Sequence, residues 1–259
     1  MNTDKKTFVD IHAHILPGVD DGAQDMEETL ELARIAAESG TTKLVATPHC
    51  NIPELFDNYF GEWYKDVFLK TRAEIKKAGI PLELLPGMEA FTTEDLPQLI
   101  LDRKIMPLNQ SRYILMEFDF QEDPDFADMM LNKVREIGAK PVIAHVERYE
   151  FVKAYPEIIY DWRKKGYVIQ VNKASFQGKF GYEEAVTAHK LLKHNLISVV
   201  ATDAHSPYMR TTAMDQVYEE LLEQYPKKGK ILDVLFHYNP ERICENRPIF
   251  KIDPVPIDR

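Results

Sequence analysis

The sequence Phe8-Val-Asp-Ile-His-Ala-His14 joins a short strand-like run to two histidines. The same arrangement, an apolar run of strand length followed directly by a His, Asp or Glu, returns along the whole chain. The later examples are Thr47-Pro-His49, Gly87-Met-Glu89, Glu117, His145 and Asp203-Ala-His205. The carboxyl ends of the strands of a parallel barrel open onto one face, so we expect these side chains to meet there.

The strand-like runs alternate with longer helix-like segments, and this order predicts βα units around a parallel sheet. Two of the helices have clear capping signals, one over residues 25–39 before Gly40 and one over 125–137 before Gly138. Seven strands suit a barrel, so we predict an α/β fold of the TIM-like type. The predicted strands are residues 8–11, 43–46, 82–85, 113–116, 141–144, 168–171 and 197–202.

No glycine- or serine-rich linker interrupts this alternation, so we expect a single domain over residues 1–259. Pro248, Pro254 and Pro256 predict that residues 248–259 form an extended C-terminal strap. Residues 56–78 carry aromatic side chains at helical spacing, which predicts a helix that packs in the core or against another subunit. The sequence leaves open whether the protein is a homo-oligomer.

Composition and charge exclude several classes of protein. Hydrophobic residues make up 44% and charged residues 29%, as in globular proteins and unlike disordered chains. The formal net charge of −10 disfavours general binding to nucleic acid, because phosphate backbones repel an acidic surface. We expect a cytoplasmic protein with no membrane span, because the chain lacks a signal-peptide run and has only two cysteines.

The strand-end side chains, together with Asp21 in the loop after the first strand, form a set of candidate metal ligands. Five histidines and four carboxylates are too many for one ion, so we predict two or three divalent cations. The mixture of imidazole and carboxylate favours Mn, Fe, Zn or Co over Ca. The nine candidates are His12, His14, Asp21, His49, Glu89, Glu117, His145, Asp203 and His205.

Two arginines follow candidate ligands closely and favour a phosphate-binding role. Arg148 lies three residues beyond His145, and Arg210 lies five residues beyond His205. A guanidinium group matches phosphate oxygens in a bidentate way, and bound metals activate water, so we predict hydrolysis of a phosphate ester. A cysteine-nucleophile phosphatase does not fit, because neither cysteine has an arginine six residues downstream.

The motifs and their order resemble the polymerase-and-histidinol-phosphatase (PHP) superfamily. Within it, the chain is similar to the manganese-dependent protein-tyrosine phosphatases of bacterial capsule and exopolysaccharide operons. The resemblance covers nearly the whole chain and rests mainly on residues 8–22, Ala144-His-Val-Glu-Arg-Tyr149 and Thr202-Asp-Ala-His205. Pro48 departs from the family pattern, which affects the expected approach of the chain to His49.

The resemblance implies a distorted (β/α)7 barrel of the PHP type with a trinuclear centre, most often of Mn and compatible with Mg. The substrate it implies is a phosphotyrosine protein, the tyrosine-rich tail of a cognate bacterial autokinase that regulates capsule synthesis. The implied ligands are His12, His14, Glu89 and Asp203 for one metal, Glu89 as a bridge with Glu117 and His145 for a second, and Asp21, His49 and His205 for a third.

Our hypothesis for the reaction is direct hydrolysis, in which a hydroxide that bridges the metals attacks phosphorus while Arg148 and Arg210 hold the phosphate. Three other functions stay open on the sequence alone. The first is a small-molecule phosphatase, such as a histidinol-phosphate phosphatase, that uses the same metals. The others are a metal-dependent nuclease and a non-catalytic module that binds metals structurally.

Overall fold

The computed structural model describes residues 6–257, and the statements on structure below refer to these residues. All of its strand pairs are parallel, and helices separate most of the strands along the chain. The strands are β1 Phe8–Ala13, β2 Thr41–Ala46, β3 His49–Cys50, β4 Glu83–Pro86, β5 Glu89–Phe91, β6 Tyr113–Glu117, β7 Lys140–Ile143, β8 Val168–Asn172 and β9 Val199–Ala201.

The strands form two hydrogen-bonded sheets that curl around a common interior. One sheet has the order β1-β2-β4, and the other has the order β3-β5-β6-β7-β8-β9. A parallel bridge between Ala13 and Ala204 joins the end of β1 to the segment after β9. The N–H of His14 donates to the Ala204 carbonyl at 2.8 Å, and the N–H of Asp203 donates to the His12 carbonyl at 2.8 Å. The α/β class predicted from the sequence is therefore confirmed.

Two predicted strands are each continued by a second short strand, so the structure has nine strands where the sequence predicts seven. Between β2 and β3 the chain contains Pro48, which has no N–H to donate to a ladder. Between β4 and β5, Gly87 donates its N–H to the Tyr64 hydroxyl at 3.0 Å and accepts from it at 2.8 Å. Every predicted strand overlaps an observed one, and its ends agree within two residues.

The helices lie on the outside of the sheets. The first helix begins after Asp25, whose side chain accepts from the N–H groups of Glu27 and Glu28, as its predicted capping role requires. The α-helices are α1 Met26–Glu38, α2 Glu62–Lys77, α3 Leu96–Leu101, α4 Pro124–Glu136, α5 Glu150–Ala154, α6 Ile158–Lys165, α7 Lys173–Phe176, α8 Tyr182–Lys193, α9 Asp215–Gln224, α10 Gly229–Asp233 and α11 Asn239–Cys244.

The predicted aromatic helix over residues 56–78 is shorter than expected, because it begins only at Glu62. Phe56 instead closes a tight turn, in which its N–H donates to the Ile52 carbonyl at 3.0 Å. This turn holds the preceding chain out of the helix. On the helix itself, the interpretation of the aromatic face as core holds for Tyr64 and Phe68, which are buried, whereas Trp63 is 38% exposed.

The strands are buried on both faces, and alternate residues belong to two apolar layers. The outer layer packs against the helices. The inner layer fills the space between the strands, and Ile243 and Cys244 of α11 join it near the amino ends of the strands. This dry interior gives a rigid base to the strand ends. Its strand residues include Val9, Ile11, Val45, Leu115, Val142, Val199 and Ala201.

Residues 248–257 contain no helix or strand, and several hydrogen bonds tie them to the barrel. Arg163 donates to the carbonyl of Ile252 at 3.3 Å, and the N–H of Val255 donates to the carbonyl of His194 at 2.8 Å. Asp258 and Arg259, the last residues of the predicted strap, lie outside the described residues. Among residues 6–257, no helix is both long and apolar enough to cross a membrane.

Candidate metal centre

The nine candidate ligands lie together at the carboxyl ends of the strands. Seven of them line one cavity of about 240 Å³. The other two, His12 and His14, lie behind it, with their Nε2 atoms 3.1 and 3.2 Å from Glu89 Oε2. Three sets of donor atoms fall within 4.8 Å of one another: His14, Asp21, His49 and His205; His12, His14 and Glu89; and His49, Glu89 and Glu117.

His14 and His49 both differ from their expected places, because each belongs to two of these sets. In His49, Nε2 lies 3.5 Å from Asp21 Oδ1, while Nδ1 lies 3.2 Å from Glu89 Oε2. His145 also reaches the central carboxylate, with Nε2 3.0 Å from Glu89 Oε1. Asp203 Oδ1 lies 3.4 Å from His12 Nε2. Glu89 is thus the carboxylate that the other donor groups surround.

The tautomers of two histidines indicate that the cluster suits cations. His12 Nδ1 donates to Gln170 Oε1 at 3.1 Å, and His14 Nδ1 donates to Asp20 Oδ2 at 2.7 Å. Each neutral ring therefore keeps a lone pair on Nε2, and these two Nε2 atoms face each other at 3.2 Å. Glu89 Oε2 beside them is buried and makes no hydrogen bond. Acceptor atoms this close to one another are the kind of donor set that could hold a divalent metal.

The electrostatics of the cluster point the same way. Burial alone would raise the pKa of Glu89, but the neighbouring His12 and His49 hold it well below its usual value. Burial alone would lower the pKa of His14, but Asp20, Asp203 and Glu89 raise it well above its usual value. The buried carboxylates are ionised and attract positive charge, which protons on the imidazoles or metal ions can supply.

Two ligand candidates have left-handed backbone conformations that turn their side chains into the cluster. The φ angle is 31° at His145 and 50° at Asp203. The N–H of His145 donates to Gln170 Oε1 at 2.9 Å, and that of Asp203 donates to the His12 carbonyl. Such conformations cost free energy in non-glycine residues, and these bonds help to hold them.

Asp20 is a part of the site that the sequence analysis missed. Its buried carboxylate accepts from His14 Nδ1 and from the N–H of His49 at 2.9 Å, so it orients both histidines. Gly22 permits this loop to lie against His14, because a Cβ at that position would be 2.2 Å from the His14 carbonyl oxygen. The Asp-Asp-Gly motif contained the signal, but only Asp21 was chosen from it.

A second missed group links two ligands from within β8. Gln170 accepts from His12 and donates to Asn172 Oδ1 at 2.8 Å, and Asn172 donates to Asp203 Oδ2 at 2.6 Å. The sequence signal that could have found them is the presence of two polar residues, Gln170 and Asn172, at alternating positions of an otherwise apolar strand. These amides fix the orientation of His12 and Asp203.

Arg148 and Arg210 both lie at the cavity, and both approach Asp203 Oδ2, at 3.8 and 2.5 Å respectively. The ring of Phe180 lies against both guanidinium groups, 4.8 Å from Arg148 and 5.3 Å from Arg210. Phe120 lies 4.3 Å from Arg148 on another side. The two phenylalanines, which the sequence analysis did not select, therefore limit where the arginines can point.

The two cysteines do not contribute a nucleophile. Both are buried and free. Burial raises the pKa of each thiol to about 12, so neither is ionised at neutral pH. This burial disfavours a cysteine nucleophile, as the sequence does.

Comparison with known proteins shows the family to which this chain belongs. A family model described as capsular polysaccharide synthesis, CpsB/CapC, matches residues 8–245. The chain belongs to the CpsB/CapC family. It is 32% identical over 252 residues to tyrosine-protein phosphatase YwqE of Bacillus subtilis, with 97% of each chain covered. It is 30% identical over 253 residues to tyrosine-protein phosphatase CpsB of Streptococcus pneumoniae, covering 93% of this chain and 100% of the relative.

A solved structure of the CpsB/CapC family has the same fold. It comes from work on YwqE of Bacillus subtilis and CpsB of Streptococcus pneumoniae, described as unique metal-dependent tyrosine phosphatases. It aligns with a TM-score of 0.88 and 32% identity, covering 97% of this chain and 100% of the other. The family resemblance inferred from the sequence is thereby confirmed.

Proposed function

We propose that this protein is a metal-dependent protein-tyrosine phosphatase whose active site is the cavity around Glu89. The observation that carries the proposal is the position of Glu89 Oε2, buried and without a hydrogen bond, between the facing nitrogens of His12 and His14. Two arginines line the same cavity. The relatives of the chain, which are named tyrosine-protein phosphatases, support the reaction class.

The donor atoms suit two or three divalent metals, and Mn is the ion we propose first. All nine candidate side chains take part in this proposal, with Glu89 shared between metals and His49 able to serve two sets. When bound, such cations lower the pKa of coordinated water and stabilise negative charge on phosphate oxygens. Asp20 and Gln170 keep His14 and His12 in the tautomer that leaves Nε2 free for a metal.

Arg148 and Arg210 bind the phosphate group of the substrate in this proposal. Their guanidinium groups now lie near Asp203 Oδ2, and a phosphate in the cavity offers them further acceptor oxygens. The aromatic rings of Phe91, Phe118 and Phe120 form a wall against which a tyrosine ring can pack. Both ends of a phosphotyrosine side chain therefore find suitable partners.

The cavity favours direct attack by water over a covalent phosphoenzyme. Among the described residues, its lining contains no serine, threonine or cysteine that could accept the phosphoryl group, and every histidine and carboxylate in it except Asp119 belongs to the proposed metal set. The leaving group is a phenol with a pKa of about 10, so it needs less protonation on departure than an alkyl alcohol. The positioned charges therefore carry most of the catalysis.

A protein substrate is favoured by the surroundings of the cavity. Leu55 lies in the turn between the cavity residue Ile52 and Phe56, whose ring stacks on His49, and it is 73% exposed. Tyr208 and Met209, directly before Arg210, are 81% and 79% exposed. Apolar side chains in these loops can contact residues on both sides of a phosphotyrosine. We propose the phosphorylated tail of a bacterial tyrosine autokinase of capsule synthesis as the partner.

Two finer features of the fold belong to this proposal. If β2 with β3, and β4 with β5, each count as one interrupted strand, the nine strands correspond to a (β/α)7 barrel of the PHP type. We further propose that residues 1–259 form a single domain in the cytoplasm.

Chelation and reconstitution test the proposed function. Treatment with EDTA should abolish hydrolysis of a phosphotyrosine peptide, and Mn²⁺ should restore it, while iodoacetamide has no effect on the metal-loaded enzyme. Histidinol phosphate, assayed in parallel, should be a much poorer substrate by kcat/KM. Activity that survives full metal removal, or a preference for histidinol phosphate, would contradict the proposal.

A further inference from the structure

A second cavity lies at the other end of the barrel, away from the metal centre. Its volume is about 560 Å³, and no residue lines both cavities. One wall is formed by the amino ends of β6, β7 and β8, which begin at Tyr113, Lys140 and Val168. The other wall is residues 248–254 of the C-terminal segment. The cavity is therefore a cleft between the barrel and the strap.

The charge of this cleft is opposite to that of the whole chain. Five cationic side chains line it, whereas Asp253 is its one acidic residue among the described part of the chain. None of the five has a carboxylate oxygen within 4.0 Å in residues 6–257. A protein with a net charge of −10 thus keeps in one cleft five cations that have no ion-pair partner among residues 6–257. They are Arg135, Lys140, Arg163, Lys164 and Lys251.

Arg163 is the most deeply placed of these cations. It donates from Nη1 to Ser198 Oγ at 3.0 Å and from Nη2 to the Ile252 carbonyl at 3.3 Å, while its buried Nε has no partner. Both partners are neutral, so its charge is not compensated. Buried charged groups are normally paired with an opposite charge, because desolvation without a partner is costly.

Two other cations are held at the wall by aromatic rings. Lys140 Nζ lies 4.7 Å from the centre of the Tyr113 ring and 3.3 Å from its hydroxyl. The guanidinium of Arg135 lies 5.6 Å from the centre of the Tyr167 ring. Burial lowers the pKa of Lys140, and the positive charge of the neighbouring Arg112 lowers it further. An anion would offset this positive charge.

We propose that this cleft binds a small organic phosphate of the nucleoside-diphosphate class. A diphosphate carries enough negative charge to pair with several of the five cations. The volume lies within the range of about 300–1,000 Å³ that is usual for small-molecule sites and leaves room for more than the phosphates. Tyr167, Ile249 and Phe250 offer apolar wall to a base and sugar. The ligand would tie the strap to the barrel, because both contribute cations.

Calorimetric titration of the metal-loaded protein with ADP and with inorganic pyrophosphate tests this proposal. We expect ADP to bind more tightly than pyrophosphate, since the apolar walls contact only the nucleoside. The double variant Lys164→Gln/Lys251→Gln removes two exposed cations and should weaken ADP binding by about tenfold or more. Lys140→Gln should weaken it as well. Lys227→Gln, in an exposed turn outside the cleft, is the matched control and should bind as the parent does.

Hydrogen exchange separates this cleft from the metal centre, which also attracts anions. ADP should slow amide exchange in residues 248–254 of the parent protein and have no such effect in the double variant. Hydrolysis of phosphotyrosine peptide should be unchanged in both variants, so the outcome does not depend on the proposed function. Equal affinity for pyrophosphate and ADP would overturn the nucleoside assignment. Binding that the variants do not weaken, or that leaves the strap unprotected, would overturn the site.

Discussion

The two ends of the barrel strands differ in chemistry although they belong to the same strands. In β1, Val9 and Ile11 fill the apolar interior, and His12 directly after them enters the ligand cluster. The same change occurs at β7. Val142 in the strand and Ala144 directly after it face the interior, and the next residue, His145, is a ligand candidate. In both strands, the change from apolar residues to a histidine marks the boundary between the apolar interior and the candidate metal centre.

This difference shows how a barrel supports a site whose groups are energetically unfavourable. The interior near the amino ends gains free energy by burying apolar surface. The carboxyl ends gather buried carboxylates and imidazoles with free lone pairs, which cost free energy without a cation, and left-handed backbone, which costs free energy in any state. Substitutions in the two regions should therefore have separable effects, and three predictions follow in order of expected size.

The substitution Glu89→Gln should have the largest effect, because it removes the negative charge that four surrounding imidazoles share. We expect kcat for phosphotyrosine peptide to fall by about 10³-fold or more, together with a loss of bound metal. Glu83→Gln, an exposed position at the start of β4, is the matched control and should keep full activity. A Glu89→Gln enzyme with normal metal content and turnover would contradict the central place of this carboxylate.

Ile243→Ala tests the other region. Ile243 of α11 is fully buried in the interior layer near the amino ends of the strands, so the substitution should destabilise the protein by about 2–5 kcal/mol through lost burial and a new cavity. Equilibrium unfolding in urea measures this change. Below the unfolding transition, kcat should stay within about twofold of the parent, since mutations in distant regions act almost independently. A large fall in kcat of the folded variant would show that the two regions are not separable.

The third prediction concerns protons and has the smallest effect. In the metal-free protein the pKa values of His12, His14 and His49 are raised, despite burial, by nearby carboxylates. His14 in particular, whose pKa is raised well above its usual value, carries a proton at pH 7 that a metal must displace, so binding should release about one proton or more per protein. Calorimetry of Mn²⁺ binding in two buffers of different ionisation enthalpy measures the release. A binding heat that is the same in both buffers would mean that the imidazoles are already neutral.

The sequence predicts much of the site because its signal is local. Each candidate ligand lies at the carboxyl end of a predicted strand, in the short strand that continues it, or in the loop after it, so the strand assignment alone brings Glu89, His145 and Asp203 together. The parallel barrel then fixes which end they share. The strand positions could also be predicted closely, because strands that are buried on both faces appear in the sequence as short, continuous apolar runs.

Other features depend on contacts that no local pattern contains. Asp20 and Asp21 look alike in the sequence, and only the close approach of Gly22 to His14 decides which carboxylate is buried behind the ring. Phe180 lies in the loop between α7 and α8 and contacts both arginines. This loop does not follow a strand, so the strand-end pattern could not predict its position. The aromatic helix begins late because of a turn that is closed by Phe56.

Anomalous diffraction at the manganese edge, from crystals of the protein loaded with Mn²⁺, tests the central claim most directly. The account predicts two or three peaks at the carboxyl ends of the strands, with at least one bound by Glu89 together with His12 and His14. Peaks confined to other parts of the molecule, or a fully loaded crystal in which Glu89 binds no ion, would contradict it.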